Sequence, residues 1–179
     1  MMQEEAAFAK MQGYIANIAI TPSALRNLGA RGLVGRAQGF LTSIDLKPLK
    51  TINPSDYQSW LNGQTDKLVT IFGIGALWGP ARKSINIFMV MAALNRFLCA
   101  AYSLDRLEDV LEVPLDNRVA VKVLDWAKSK EPVWTTIKNL DKQQSEKIQS
   151  LAAEMAKEQG IPRGQLDVIL WSKGHDQDD

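Results

Sequence analysis

Apolar residues recur at spacings of three and four along most of the chain, the signature of helices with one buried face. In Glu4–Ile20 they are Phe8, Met11, Ile15, Ile18 and Ala19. Thr21-Pro22 interrupts this run, and Thr21 is placed to cap a short helix from Pro22 to Leu28. Gly29, Gly32 and Gly35 loosen the next stretch before a helix over Val34–Ile44, and Leu46–Ile52, with Pro48, reads as a loop. Asn53-Pro54-Ser55 repeats the cap pattern and opens Ser55–Asn62, followed by a separate helix over Thr65–Phe72. A glycine-rich hairpin, Gly73–Gly79, then leads into the longest helix, from Pro80 to about Tyr102. That helix is apolar nearly all round and is therefore expected at the centre of the molecule. Leu104–Leu111, Asn117–Lys128, Lys142–Gln159 and Pro162 to about Trp171 complete the series, and the polar tail from Gly174 frays. There is neither an internal repeat nor a run that alternates like a strand. The pattern predicts an all-α fold.

Composition narrows the chemistry. The 179 residues suffice for a single compact helical unit, 1–179, formed of two small lobes around a cleft; the core spans about 65–130 and the termini complete the second lobe. A net charge of +1 neither requires nor excludes a nucleic acid partner, because basic groups can be gathered on one face. Cys99 is the only cysteine, which excludes an internal disulfide or a four-cysteine metal or iron–sulfur site. His175 is the only histidine, so a histidine zinc site or Ser-His-Asp triad has no support either. Catalysis, if present, must come from carboxylates, lysines, hydroxyls or the backbone, with neither metal nor cofactor. The acidic opening Met1-Met2-Gln3-Glu4-Glu5 does not resemble the basic start of a signal peptide. Ile85–Leu94 is too short for a membrane span, which needs about 20 apolar residues. The expectation is a cytoplasmic chain without membrane contact and of open oligomeric state.

Two segments carry candidate chemistry. In F-G-I-G-A-L-W-G-P-A-R-K-S-I-N-I-F, Gly73 and Gly75 give the torsional freedom of a tight turn whose N–H groups can face a phosphate. Arg82 adds a second backbone contact. Lys83, read as lying in the first helical turn, faces the positive end of the helix dipole and a neighbouring cation, both of which favour the neutral, nucleophilic amine. Taken alone, Lys83 reads more readily as a solvated lysine at the edge of a buried helix. In E-V-P-L-D-N-R-V, Asp116 is placed to cap the following helix. A capping carboxylate is held ionised and fixed, as a reaction that builds positive charge on a sugar requires. In G-I-P-R-G-Q-L-D-V-I-L-W, Asp167 and Trp171 lie four apart on one helix face, where an aromatic plane beside an acid suits an extruded base. The alternative has Trp171 closing the core with Asp167 at the surface.

Taken together and in this order, the three segments resemble the archaeal GO glycosylase branch of the helix-hairpin-helix DNA glycosylases, enzymes that excise 8-oxoguanine. The resemblance covers roughly Leu68–Trp171. It implies a helix-hairpin-helix glycosylase-like fold acting on double-stranded DNA with a damaged base. It also implies Lys83 as Schiff-base nucleophile, Asp116 as the catalytic aspartate, and Asp167 and Trp171 as base-binding groups. The chain departs from the pattern at Ile87, where the family offers an aromatic, and at Val90, where it offers a lysine. A non-catalytic helix-hairpin-helix DNA-binding module is the alternative; phosphate binding alone needs neither Lys83 nor Asp116.

Overall fold

In a computed structural model, residues 2–25, 31–73 and 77–172 are described, except for the side chains of residues 2–4, 171 and 172. Eight α-helices appear among them, linked by short 3₁₀ turns and without a strand: α1 Met2–Ala19, α2 Leu33–Ser43, α3 Tyr57–Phe72, α4 Trp78–Leu94, α5 Arg96–Tyr102, α6 Asn117–Trp126, α7 Lys142–Glu158 and α8 Leu166–Ser172. The all-α expectation is met.

The buried apolar side chains form two clusters that meet near Glu112. The first runs from Ile15 to Leu111 and is built by α1 to α5; the second runs from Val113 to Leu170 and is built by α6 to α8. The stripe Ile15, Ala16 and Ala19 buries α1 in the first cluster, while Leu166 and Leu170 bury α8 in the second. Central α4 packs against α1, α2, α3, α5 and α7.

Several local expectations change. The two helices expected over Ser55–Asn62 and Thr65–Phe72 are one continuous α3 after a 3₁₀ turn at Pro54–Asp56. The long helix from Pro80 to Tyr102 is two, because Asn95 leaves helical geometry and its side chain accepts from the N–H groups of Phe97 and Leu98, starting α5. The chain turns by 94° there. No single helix among the described residues is long and apolar enough to cross a membrane, and this turn separates the pair that would have the composition. Residues 22–25 form a turn, and the rest of the helix expected to Leu28 lies outside the described residues.

Helix α4 begins at Trp78, two residues before Pro80, so Gly79 is already helical. Its role is close approach: a Cβ on Gly79 would lie 2.2 Å from the Ile137 carbonyl oxygen and 2.8 Å from Leu140 Cβ. Residues 137–140 thus lie directly on the first turn of α4.

Candidate active site

The earlier start of α4 moves Lys83 into the second turn, beyond the region where a helix dipole acts strongly. What fixes Lys83 is its neighbour. Arg82 is 2% exposed, and its Nε and one terminal nitrogen donate to the two carboxylate oxygens of Glu112 at 2.9 and 3.2 Å. Its remaining donors reach Thr65 Oγ1 at 2.9 Å and Asn62 Oδ1 at 2.8 Å, and the guanidinium lies 5.1 Å from the Trp78 ring centre. Glu112 also accepts from Gln58 at 3.0 Å and Asn86 at 2.9 Å. Four of its five N–H groups are thus engaged inside the protein, and its burial argues against the expected contact of Arg82 with a DNA backbone.

Gly73 is corrected for a similar reason. It adopts the left-handed conformation (φ 65°) at the end of α3, where its N–H donates to the carbonyls of Val69 and Thr70. That amide is not available to a phosphate. Gly75 lies outside the described residues.

Asp116 caps α6 as expected from sequence. Its Oδ1 accepts from Arg118 N at 3.0 Å and Val119 N at 3.1 Å, leaving Oδ2 to meet Lys83 Nζ at 3.5 Å. The residues before it are held from α7: Val113 N donates to Gln149 Oε1 at 3.2 Å, and Gln149 Nε2 returns a bond to Val113 O at 2.7 Å. The third segment is tied to the second by Arg163, which donates to the carbonyls of Val110 at 2.8 Å and Leu111 at 3.0 Å. Gly164 makes that approach possible, since a Cβ there would sit 3.1 Å from Val90 and 3.3 Å from Leu111. The three segments singled out in the sequence therefore converge physically.

Lys83, Asp116 and Asp167 line one cleft of about 430 Å³. The Lys83 side chain is 13% exposed and that of Asp116 is 31% exposed, so the pair is sheltered yet reachable. Asp167 Oδ1 is buried and has no hydrogen-bond partner among the described residues. Burial first, then the charge of Asp116, pushes the Asp167 carboxyl above its usual range, while Lys83 and Arg118 pull it partly back. Trp171 belongs to α8, but its side chain lies outside the described residues. Among the described residues no three His, Cys, Asp or Glu side chains gather as a metal would need.

One part of the lining was not foreseen. The cleft is also lined by Ala19, by the turn after α1, where Thr21 and Ser23 place their hydroxyl oxygens 2.7 Å apart, and by Ile87 from α4. Locally, Thr21-Pro22-Ser23 carries only a capping signal, and nothing in it reports that it reaches the cleft. Ile87 is one turn beyond Lys83, whereas Phe88 points into the core and is fully buried. No family model, curated protein or solved structure matches the chain.

Chemically, the arrangement offers an amine with an acceptor for its proton, a carboxylate fixed through one oxygen, and a second acid with an unspent oxygen. Such a set can carry out nucleophilic substitution at an electrophilic carbon through an amine–carbon bond.

Proposed function

We propose that this chain is a DNA glycosylase and AP lyase of the helix-hairpin-helix type, excising an oxidised base, 8-oxoguanine by resemblance, from double-stranded DNA. The observation that carries this reading is the 3.5 Å approach of Lys83 Nζ to Asp116 Oδ2, with Oδ1 of the same carboxylate held by the α6 backbone. The cleft volume of about 430 Å³ falls in the range of small-ligand sites, and the unspent oxygen of Asp167 is available to a base N–H.

In this mechanism Lys83 gives a proton to Asp116 and its lone pair attacks the sugar C1′. The bond from C1′ to the base nitrogen breaks, and the base leaves with the electron pair and takes up a proton. That proton comes from Asp116, which is thereby ionised again and stabilises positive charge on the sugar. Ring opening then gives a C1′=Nζ Schiff base, and loss of a C2′ proton expels the 3′ phosphate by β-elimination. Asp167 and Trp171 hold the base.

Borohydride trapping on a panel of duplexes with single damaged bases tests this reading. The wild type should form a covalent adduct with at least one lesion, and Lys83→Gln should form none while still binding DNA. Asp116→Asn separates the cap from the catalyst. Asparagine caps as well as aspartate, so the melting temperature should barely move while trapping falls. Lesion-dependent nicking by Lys83→Gln at the wild-type rate would overturn the assignment of the nucleophile. DNA binding without any adduct would favour the non-catalytic binding module.

A further inference from the structure

A cavity of about 900 Å³ lies away from the candidate cleft, between the N-terminal half of α1, the 3₁₀ turn Lys47–Lys50 and α5. Helix α1 touches both sites, but at different ends: Glu5 and Gln12 line the groove, whereas Ala19 lines the cleft. At 1.5 Å per residue, Glu5 and Ala19 are about 21 Å apart along the helix. The two sites are therefore separate.

The groove combines three chemistries. Its cations are Lys47, Lys50 and Arg96, all exposed. Side chains three apart on a 3₁₀ turn project the same way, with a rise of about 2 Å per residue, so Lys47 and Lys50 form a parallel pair about 6 Å apart. Its aromatics are Phe8 and Tyr102, tilted against each other at 6.4 Å, and Phe97, which is 54% exposed. Arg96 covers the Phe97 ring from 5.6 Å, adding positive charge beside a surface on which a base can stack. Its floor is Gln12, whose amide nitrogen donates to Leu41 O at 2.9 Å and Ile44 O at 2.8 Å. That fixes the amide and leaves its carbonyl oxygen as the acceptor end. Two acids oppose the cations: Glu5, paired with Lys47 at 3.5 Å, and Asp45, whose side chain accepts from the Lys47 N–H and whose charge reaches Tyr102.

We infer that this groove binds a single-stranded nucleic acid segment, with phosphates on Lys47, Lys50 and Arg96, a base stacked on Phe97, and Gln12 accepting from a base N–H. Charge complementarity alone would suit any polyanion; the exposed ring and fixed acceptor select one that carries bases. This inference stands independently of the chemistry assigned to Lys83.

Fluorescence anisotropy of the full chain, using labelled oligothymidylate and an abasic strand of equal length at fixed salt, tests it. Oligothymidylate should bind more tightly. Phe97→Ala should weaken it by about 5- to 150-fold, the worth of one base–aromatic stack, without affecting the abasic strand. The Lys50→Gln, Arg96→Gln double variant should reduce the log–log salt slope by about 0.7 per cation for both strands. Glu5→Gln, which frees Lys47, should tighten binding of both, a gain that misfolding cannot produce. Equal affinity for the two strands with no effect of Phe97→Ala would overturn the inference in favour of charge attraction alone. Preference for phosphatidylserine vesicles would overturn it in favour of a membrane surface. Loss of oligothymidylate binding in Lys83→Gln would place the strand in the cleft instead, and no binding at all would remove the site.

Discussion

Removing one partner of the Arg82–Glu112 pair should be among the most damaging single changes in the protein. Both side chains are 2% exposed, and Glu112 accepts from Arg82, Gln58 and Asn86 together. Glu112→Gln leaves the guanidinium charged, buried and without its counterion, and turns an NH₂ group toward donors. Breaking a buried pair in this way costs about 3–5 kcal/mol. For a chain of this size each kcal/mol moves the melting point by about 2–4 °C, so a fall of roughly 6–20 °C is expected. Arg82→Met should cost a similar amount, because it strands the carboxylate. The double variant Arg82→Met, Glu112→Gln should cost clearly less than the sum of the two, since neither charge of the pair remains. Residual cost will come from Asn62, Thr65 and one of Gln58 and Asn86, each losing a partner worth about 1–3 kcal/mol when buried. The assay is urea denaturation of all four proteins at pH 7, followed by calorimetry. Single variants that lose less than about 1 kcal/mol, or strict additivity in the cycle, would refute the account of this pair as a tightly coupled buried unit.

Gly79→Ala should destabilise the protein by about 1–3 kcal/mol, because its new Cβ meets the Ile137 carbonyl and Leu140; a urea midpoint equal to wild type would contradict the close approach. Asp167→Asn should melt above wild type at neutral pH. A carboxyl whose folded-state value is raised above its ordinary 3.8 contributes stability below that value and loses it as pH rises through the raised one, and asparagine escapes that loss. The difference between the two melting curves should shrink toward zero as pH falls to the ordinary value, and a gap independent of pH would rule out this titration as its source.

Much of the helical frame is legible in the sequence because its ends carry local signals. Asp116 starts α6 with a side-chain cap, and Asp141 with Gln144 forms a reciprocal capping box for α7. The failures come where tertiary contacts override those signals. Gly63 does not divide α3, since Leu61, Thr65 and Leu68 on either side are fully buried and outweigh a propensity cost of about 1 kcal/mol. Asn95 does divide the apolar run after Trp78, because its side chain offers the next helix a cap.

The candidate site shows the same division. Lys83 and Asp116 were named from residue type and spacing, and they do meet. The sequence does not separate Arg82 from Lys83, because two adjacent cations look alike in it, although one faces a cleft and the other the core. The usable sign lay elsewhere: Glu112 is a lone charge within the apolar stretch Val110–Leu115, and a charge in such a place needs an internal partner. The Thr21–Ser23 turn had no comparable sign, because only the long-range folding of α1 across α4 brings it to the cleft.

The divided carboxylate of Asp116 has a consequence for descent. One oxygen serves the architecture and the other faces Lys83, so the two constraints on this position can be relaxed separately. Asparagine, serine or threonine would preserve the helix start and remove the charge, and a lineage could take that step in a single substitution while keeping a well-folded protein. Replacement by an apolar residue would lose both functions at once. Drift at position 116 is therefore biased toward stable proteins in which the contact to Lys83 is lost and the shape stays intact for another use.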